Sequence, residues 1–140
     1  MNTKPYIYPQ NFYDVYCMQV SARLQAIDIL LKTCVNTVPL TEAATVLNVS
    51  KDEIKVVMRN LGIIRLTKKN FHEIMRRGSS YICKTLNRYA ELNYPHVYTL
   101  EQVAYIYNLD INDVYQAAEI AGVREATEVT LPLLFYHIYV

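Results

Sequence analysis

The feature that most constrains this chain is an internal repeat at an offset of sixty residues. Leu40-Thr41-Glu42-Ala43-Ala44-Thr45-Val46-Leu47-Asn48-Val49-Ser50 reappears as Leu100-Glu101-Gln102-Val103-Ala104-Tyr105-Ile106-Tyr107-Asn108-Leu109-Asp110. Leu40, Ala44 and Asn48 are identical to Leu100, Ala104 and Asn108. The register continues without a gap through Ile54 and Val114, Gly62 and Gly122, and Ile63 and Val123. Self-similarity at a fixed period means one supersecondary unit built twice. The spacing predicts copies over 11–77 and 78–140, behind an amino-terminal arm over 1–10.

Both copies parse alike. A leading helix runs from Asn11 to about Val35, and from Ser79 to about Asn93. A break follows at Pro39 and Pro95. A short helix spans about Thr41–Leu47 and Leu100–Tyr107, and a three-residue turn leads to a second helix. Ser50 is the expected N-cap, with Glu53 closing a capping box, and Asp110 is the equivalent cap. Ile54, Val57, Met58 and Leu61 form one helical face, repeated by Val114, Ala117, Ala118 and Ala121. Gly62 and Gly122 stop these helices. Short extended pieces (Ile63–Leu66, Val123–Val129) lead to last helices capped by Thr67 and Thr130, with Pro132 tolerated in a first turn. The fold class is all-α, with at most short wing strands.

Thr41 to Arg59 resembles the helix-turn-helix of bacterial and phage DNA-binding proteins of the excisionase and MerR type. Leu40-Thr41, Ala44, Leu47, Val49-Ser50 and Ile54 carry the resemblance. Ala44 is small where two helices cross, Leu47, Val49 and Ile54 fill the wedge, and Ser50 fixes where the second helix starts. Arg65-Leu66-Thr67-Lys68-Lys69-Asn70-Phe71 occupies the place of that family's wing and following helix. The resemblance covers about thirty residues of each copy. It implies two tandem helix-turn-helix units, double-stranded DNA as partner, and a phage or mobile-element setting.

Charge separates the copies. Residues 51–88 hold ten basic and three acidic side chains, a net of +7, and residues 89–140 hold one against seven, a net of −6. Duplex binding needs neutralised phosphates before base readout. On the first copy Lys51, Asp52, Lys55, Val56, Arg59 and Asn60 fall on the outward helix face. Lys55 and Arg59 lie one turn apart on the face that would enter a major groove, with Arg59 suited to guanine and Asn60 to adenine. Thr41, Arg65, Lys68, Lys69, Arg76 and Arg77 complete the candidate DNA contacts. On the second copy Ile111, Asn112, Tyr115, Gln116 and Glu119 face outward, and Glu119 stands where Arg59 does. Ile111 and Tyr115, an i, i+4 pair, serve either a protein contact or packing on the leading helix of the second copy. The opposed charges also fit head-to-tail association of copies.

The leading helix carries Tyr13, Cys17, Val20, Leu24, Ile27, Leu31 and Cys34 at alternating spacings of four and three. That is a heptad seam on a helix of about 37 Å. It reads equally as a homodimer interface through Leu24, Ile27 and Leu31 or as an internal scaffold.

The remaining chemistry is sparse. His72, His96 and His137 are scattered, and the three glycines make no phosphate cradle. Cys17, Cys34 and Cys83 are too widely spaced for a disulfide framework. The longest strongly apolar run, Leu131–Val140, is half a membrane span. The composition therefore predicts a cytoplasmic, non-enzymatic protein with no cofactor, no metal and no membrane partner. The preferred function is transcriptional control or assistance to recombination. The alternative is a protein-binding module that antagonises a host nucleic-acid-handling protein, such as a polymerase component or a defence nuclease.

Overall fold

A computed structural model describes residues 10–140. The arm expected over 1–10 therefore lies outside the described residues except for Gln10. Helices α1 (Phe12–Tyr16), α2 (Ala22–Thr33), α3 (Leu40–Leu47), α4 (Lys51–Leu61) and α5 (Phe71–Arg76) are followed by α6 (Tyr81–Glu91), α7 (Leu100–Tyr107), α8 (Ile111–Ala121) and α9 (Leu131–Phe135). The fold is all-α. Among the described residues the extended pairing is confined to isolated bridges, Thr37 with Thr67, Tyr98 with Ala126 and Asn11 with Tyr139. None of these helices is long and apolar enough to cross a membrane.

The sixty-residue offset holds at the level of single hydrogen bonds. Asn48 and Asn108 both adopt the left-handed conformation that ends the first helix, each at φ 56°. The next amide turns back in both copies, Val49 N–H to the Ala44 carbonyl at 3.1 Å and Leu109 N–H to Ala104 at 2.9 Å. Gly62 and Gly122 close the second helices at φ 68° and 70°. Val38 N–H reaches the Leu66 carbonyl at 2.9 Å, and Tyr98 N–H reaches Ala126 at 2.7 Å.

Contacts do not divide the chain at 77/78. They gather residues 18–95 into one unit and residues 10–17 with 96–140 into another. The leading helix changes unit partway along. It is α-helical in α1, widens to a π turn over Cys17–Ser21 and continues as α2, so the division falls in the π turn. It ends earlier than expected, because Cys34 is already extended at ψ 142°.

In the 18–95 unit α2 packs on α3, α3 on α4, α4 on α5 and α5 on α6. Val38, Ala43, Leu47, Ile54, Leu66, Phe71, Ile74 and Ile82 are buried. The start of α6 is bound into this unit. Ser80 Oγ donates to the Leu47 carbonyl at 2.6 Å, while the Glu53 carboxylate accepts from Ser79 N–H at 2.7 Å and Ser79 Oγ at 2.6 Å. Gly78 makes this approach feasible, since a Cβ there would lie 2.4 Å from Cys83 Sγ. Burial raises the Cys83 thiol pKa, which keeps the sulfur neutral and unreactive.

In the other unit α1 packs on α9, α7 on α8 and α8 on α9. Phe12, Tyr16, Tyr107 and Phe135 form an aromatic cluster, with Phe12–Phe135 at 4.8 Å and Tyr107–Phe135 at 4.9 Å, both edge-on. Edge-to-face contact suits the ring quadrupoles. Gln10 and Val140 exchange backbone hydrogen bonds of 3.0 and 2.8 Å, and Phe12 N–H donates to Ile138 at 2.7 Å.

Two capping expectations are corrected. Ser50 Oγ accepts from Glu53 N–H at 3.0 Å, but the Glu53 carboxylate is taken by Ser79, so no box closes. The complete capping box is at Thr99 and Gln102 of α7. Thr67 does not cap α5; Asn70 holds the N-cap position. Thr67 instead opens the preceding turn, where its amide donates to Asn70 Oδ1 at 2.8 Å and its hydroxyl accepts from Asn70 N–H at 3.3 Å. Thr127 and Thr130 repeat that exchange, and Thr130 does stand at the N-cap of α9.

Candidate nucleic-acid interface

Helix α4 is amphipathic by construction. Ile54 and Met58 are buried, Val57 and Leu61 are half-buried, and Lys51, Asp52, Lys55, Val56, Arg59 and Asn60 are exposed. Ala44 of α3 is buried, and α3 packs on α4. Thr41 is exposed at the start of α3. It shares an open concavity of about 760 Å³ with Arg23, Thr45, Ser50, Lys51 and Ser79. Lys55 and Arg59 border a second depression, with Met58, Ile63 and Ile64.

Among the described residues, Lys51, Lys55, Arg59, Arg65, Lys68 and Lys69 are exposed and have no carboxylate within salt-bridge reach. Their charge is open to a partner. Arg76 and Arg77 differ. Arg76 is half-buried and its Nε donates to Asn87 Oδ1 at 3.0 Å, tying α5 to α6. Arg77 pairs with Glu73 one turn back at 3.4 Å. These two arginines contribute charge but are partly engaged within the unit.

Sequence reasoning missed Arg23. Its Nη1 donates to the Thr45 and Val46 carbonyls at 3.1 and 3.4 Å, at the carboxyl end of α3. A cation there complements the helix dipole. The distance in sequence between α2 and α3 gave no signal for it.

The equivalent face of the other unit is built differently. Tyr115 is exposed and Ile111 half-buried. The Tyr115 hydroxyl donates to the Glu101 carboxylate. That bond lowers the Glu101 pKa and raises that of Tyr115, since it favours the carboxylate and retains the phenol proton. Three exposed basic residues are replaced by exposed glutamates at the sixty-residue offset: Arg59 by Glu119, Arg65 by Glu125 and Lys68 by Glu128. The 18–95 unit holds twelve basic and six acidic side chains, net +6; residues 10–17 with 96–140 hold one and seven, net −6.

The heptad seam of the leading helix is not a continuous exposed stripe. Val20 and Ile27 are buried, Leu31 is half-buried and Leu24 is 39% exposed. Ile27 is therefore a core residue and does not serve a dimer seam, because its surface is already removed from water. No protein-family model, curated protein or solved structure matches the chain.

Proposed function

We propose that the protein is a non-catalytic DNA-binding regulator, a transcription factor or recombination accessory factor, acting through the 18–95 unit. In this reading α3 and α4 are a helix-turn-helix, and α4 is the helix that enters the major groove. The observation that carries it is the outward face of α4. Lys51, Lys55 and Arg59 are exposed there and, among the described residues, have no ionic partner, beside Asn60. Lys55 and Arg59 project from successive turns of one face. Arg65, Lys68 and Lys69 extend the basic surface beyond the end of α4 and supply phosphate contacts. Thr41 and Lys51 flank the concavity at the amino end of α4.

The test is a titration of mixed-sequence duplex DNA across a salt series. The logarithm of affinity is expected to fall linearly with the logarithm of salt, at about 0.9 per phosphate neutralised. Lys68→Ala with Lys69→Ala, at two of the phosphate contacts, is expected to flatten that slope by about two contacts' worth. Absence of binding at low salt, or an unchanged slope in the double variant, overturns the reading.

A second reading is a module that antagonises a host protein. It draws on α8, where Tyr115 is 43% and Ile120 67% exposed. Under it, Tyr115→Ala and Ile120→Ala weaken partner capture while Lys55 and Arg59 are dispensable.

A further inference from the structure

The two units share one backbone frame and carry opposite charge on matched positions. Three features define the frame twice: the left-handed Asn48 and Asn108, the left-handed Gly62 and Gly122, and the paired amides of Val38 and Tyr98. Arg59, Arg65 and Lys68 therefore occupy the backbone positions equivalent to those of Glu119, Glu125 and Glu128. All six are exposed, and among the described residues none has an ion-pair partner. We infer that the surface of Arg59, Arg65 and Lys68 docks the surface of Glu119, Glu125 and Glu128 on a second copy of the chain.

The argument is charge complementarity at matched positions of the repeat. Complementary potentials of this kind accelerate encounter and fix register. The association is heterologous, basic face to acidic face. Arg59, Arg65 and Lys68 all belong to the surface assigned to DNA under the preceding proposal, so a second copy and a duplex would compete for it. The acidic unit then regulates the basic one by occupying it when DNA is scarce. The docking itself does not depend on the DNA reading.

Sedimentation velocity of the full chain without nucleic acid tests the docking. The wild type is expected to associate at low salt and to run as a monomer at high salt. Arg59→Glu, Arg65→Glu and Lys68→Glu in one variant, and Glu119→Lys, Glu125→Lys and Glu128→Lys in another, are each expected to lose association. Mixing the two variants is expected to restore a complex, and far-ultraviolet circular dichroism of each variant checks that both are folded. A wild type that stays monomeric at low salt, variants that associate as the wild type does, or a mixture that fails to combine each overturns the inference. DNA binding is measured separately, so failure of either idea leaves the other readable.

Discussion

Gly62 and Gly78 are both glycine for physical reasons, but the reasons differ. Gly62 sits at φ 68° with open space where a Cβ would stand, so Gly62→Ala meets only the left-handed penalty. About 1–2 kcal/mol is expected from chemical denaturation, and Gly122→Ala should match it. Gly78 faces the opposite constraint. A Cβ there would lie 2.4 Å from Cys83 Sγ and 2.9 Å from Cys83 Cβ. Gly78→Ala is therefore an overpacking change, expected to cost about 1–3 kcal/mol and to loosen the Ser80–Leu47 bond. Amide exchange at the start of α6 would report that loosening. At Glu101 the folded carboxyl pKa is lowered by the Tyr115 hydroxyl. Its contribution to stability is present above the unfolded pKa and is lost as pH falls through the folded one. Tyr115→Phe is expected to return the Glu101 titration, followed by carboxyl NMR shifts, toward its ordinary value.

At the scale of elements, α9 is short but central to its unit. Phe135 is fully buried among Phe12, Tyr16 and Tyr107. Phe135→Ala is expected to cost about 3–5 kcal/mol in a denaturation experiment. The short helices themselves were legible in the sequence, because Ala44 and Ala104, Ser50 and Asp110, and Gly62 and Gly122 mark crossing, start and stop locally. The partners of the longer leading helices were not. A seven-residue apolar period says that one helix face is covered, and it says nothing about which element covers it. So the burial of Val20 and Ile27, and the attachment of α6 to the 18–95 unit, are set by contacts distant in sequence. The engagement of Glu53 by Ser79 escaped for the same reason, since its donors lie twenty-six residues away. The outward face of α4 was legible, because helical periodicity places Asp52, Val56, Arg59 and Asn60 away from the face of Ile54, Val57, Met58 and Leu61, with Lys51 and Lys55 at its border. The engagement of Arg76 and Arg77 was not, because counting charges does not show which are already paired.

For the whole molecule, net charge is a poor guide, because +1 overall combines units of +6 and −6 with Lys4, which lies outside the described residues. Bulk properties near neutrality should look those of a weakly charged protein, while each surface behaves as strongly charged within a Debye length. The division of the chain also sets an order of events during synthesis. The basic unit is one continuous stretch, residues 18–95, and all of its parts leave the ribosome together. The acidic unit is assembled from the beginning and the end of the described chain, with α1 and Gln10 waiting for α9, Ile138 and Val140. Domains generally fold as units, earlier-made ones first. The basic unit can thus be folded while Phe12 is still without the ring of Phe135. A nascent chain halted after residue 95 would display the basic surface with no acidic counterpart yet made.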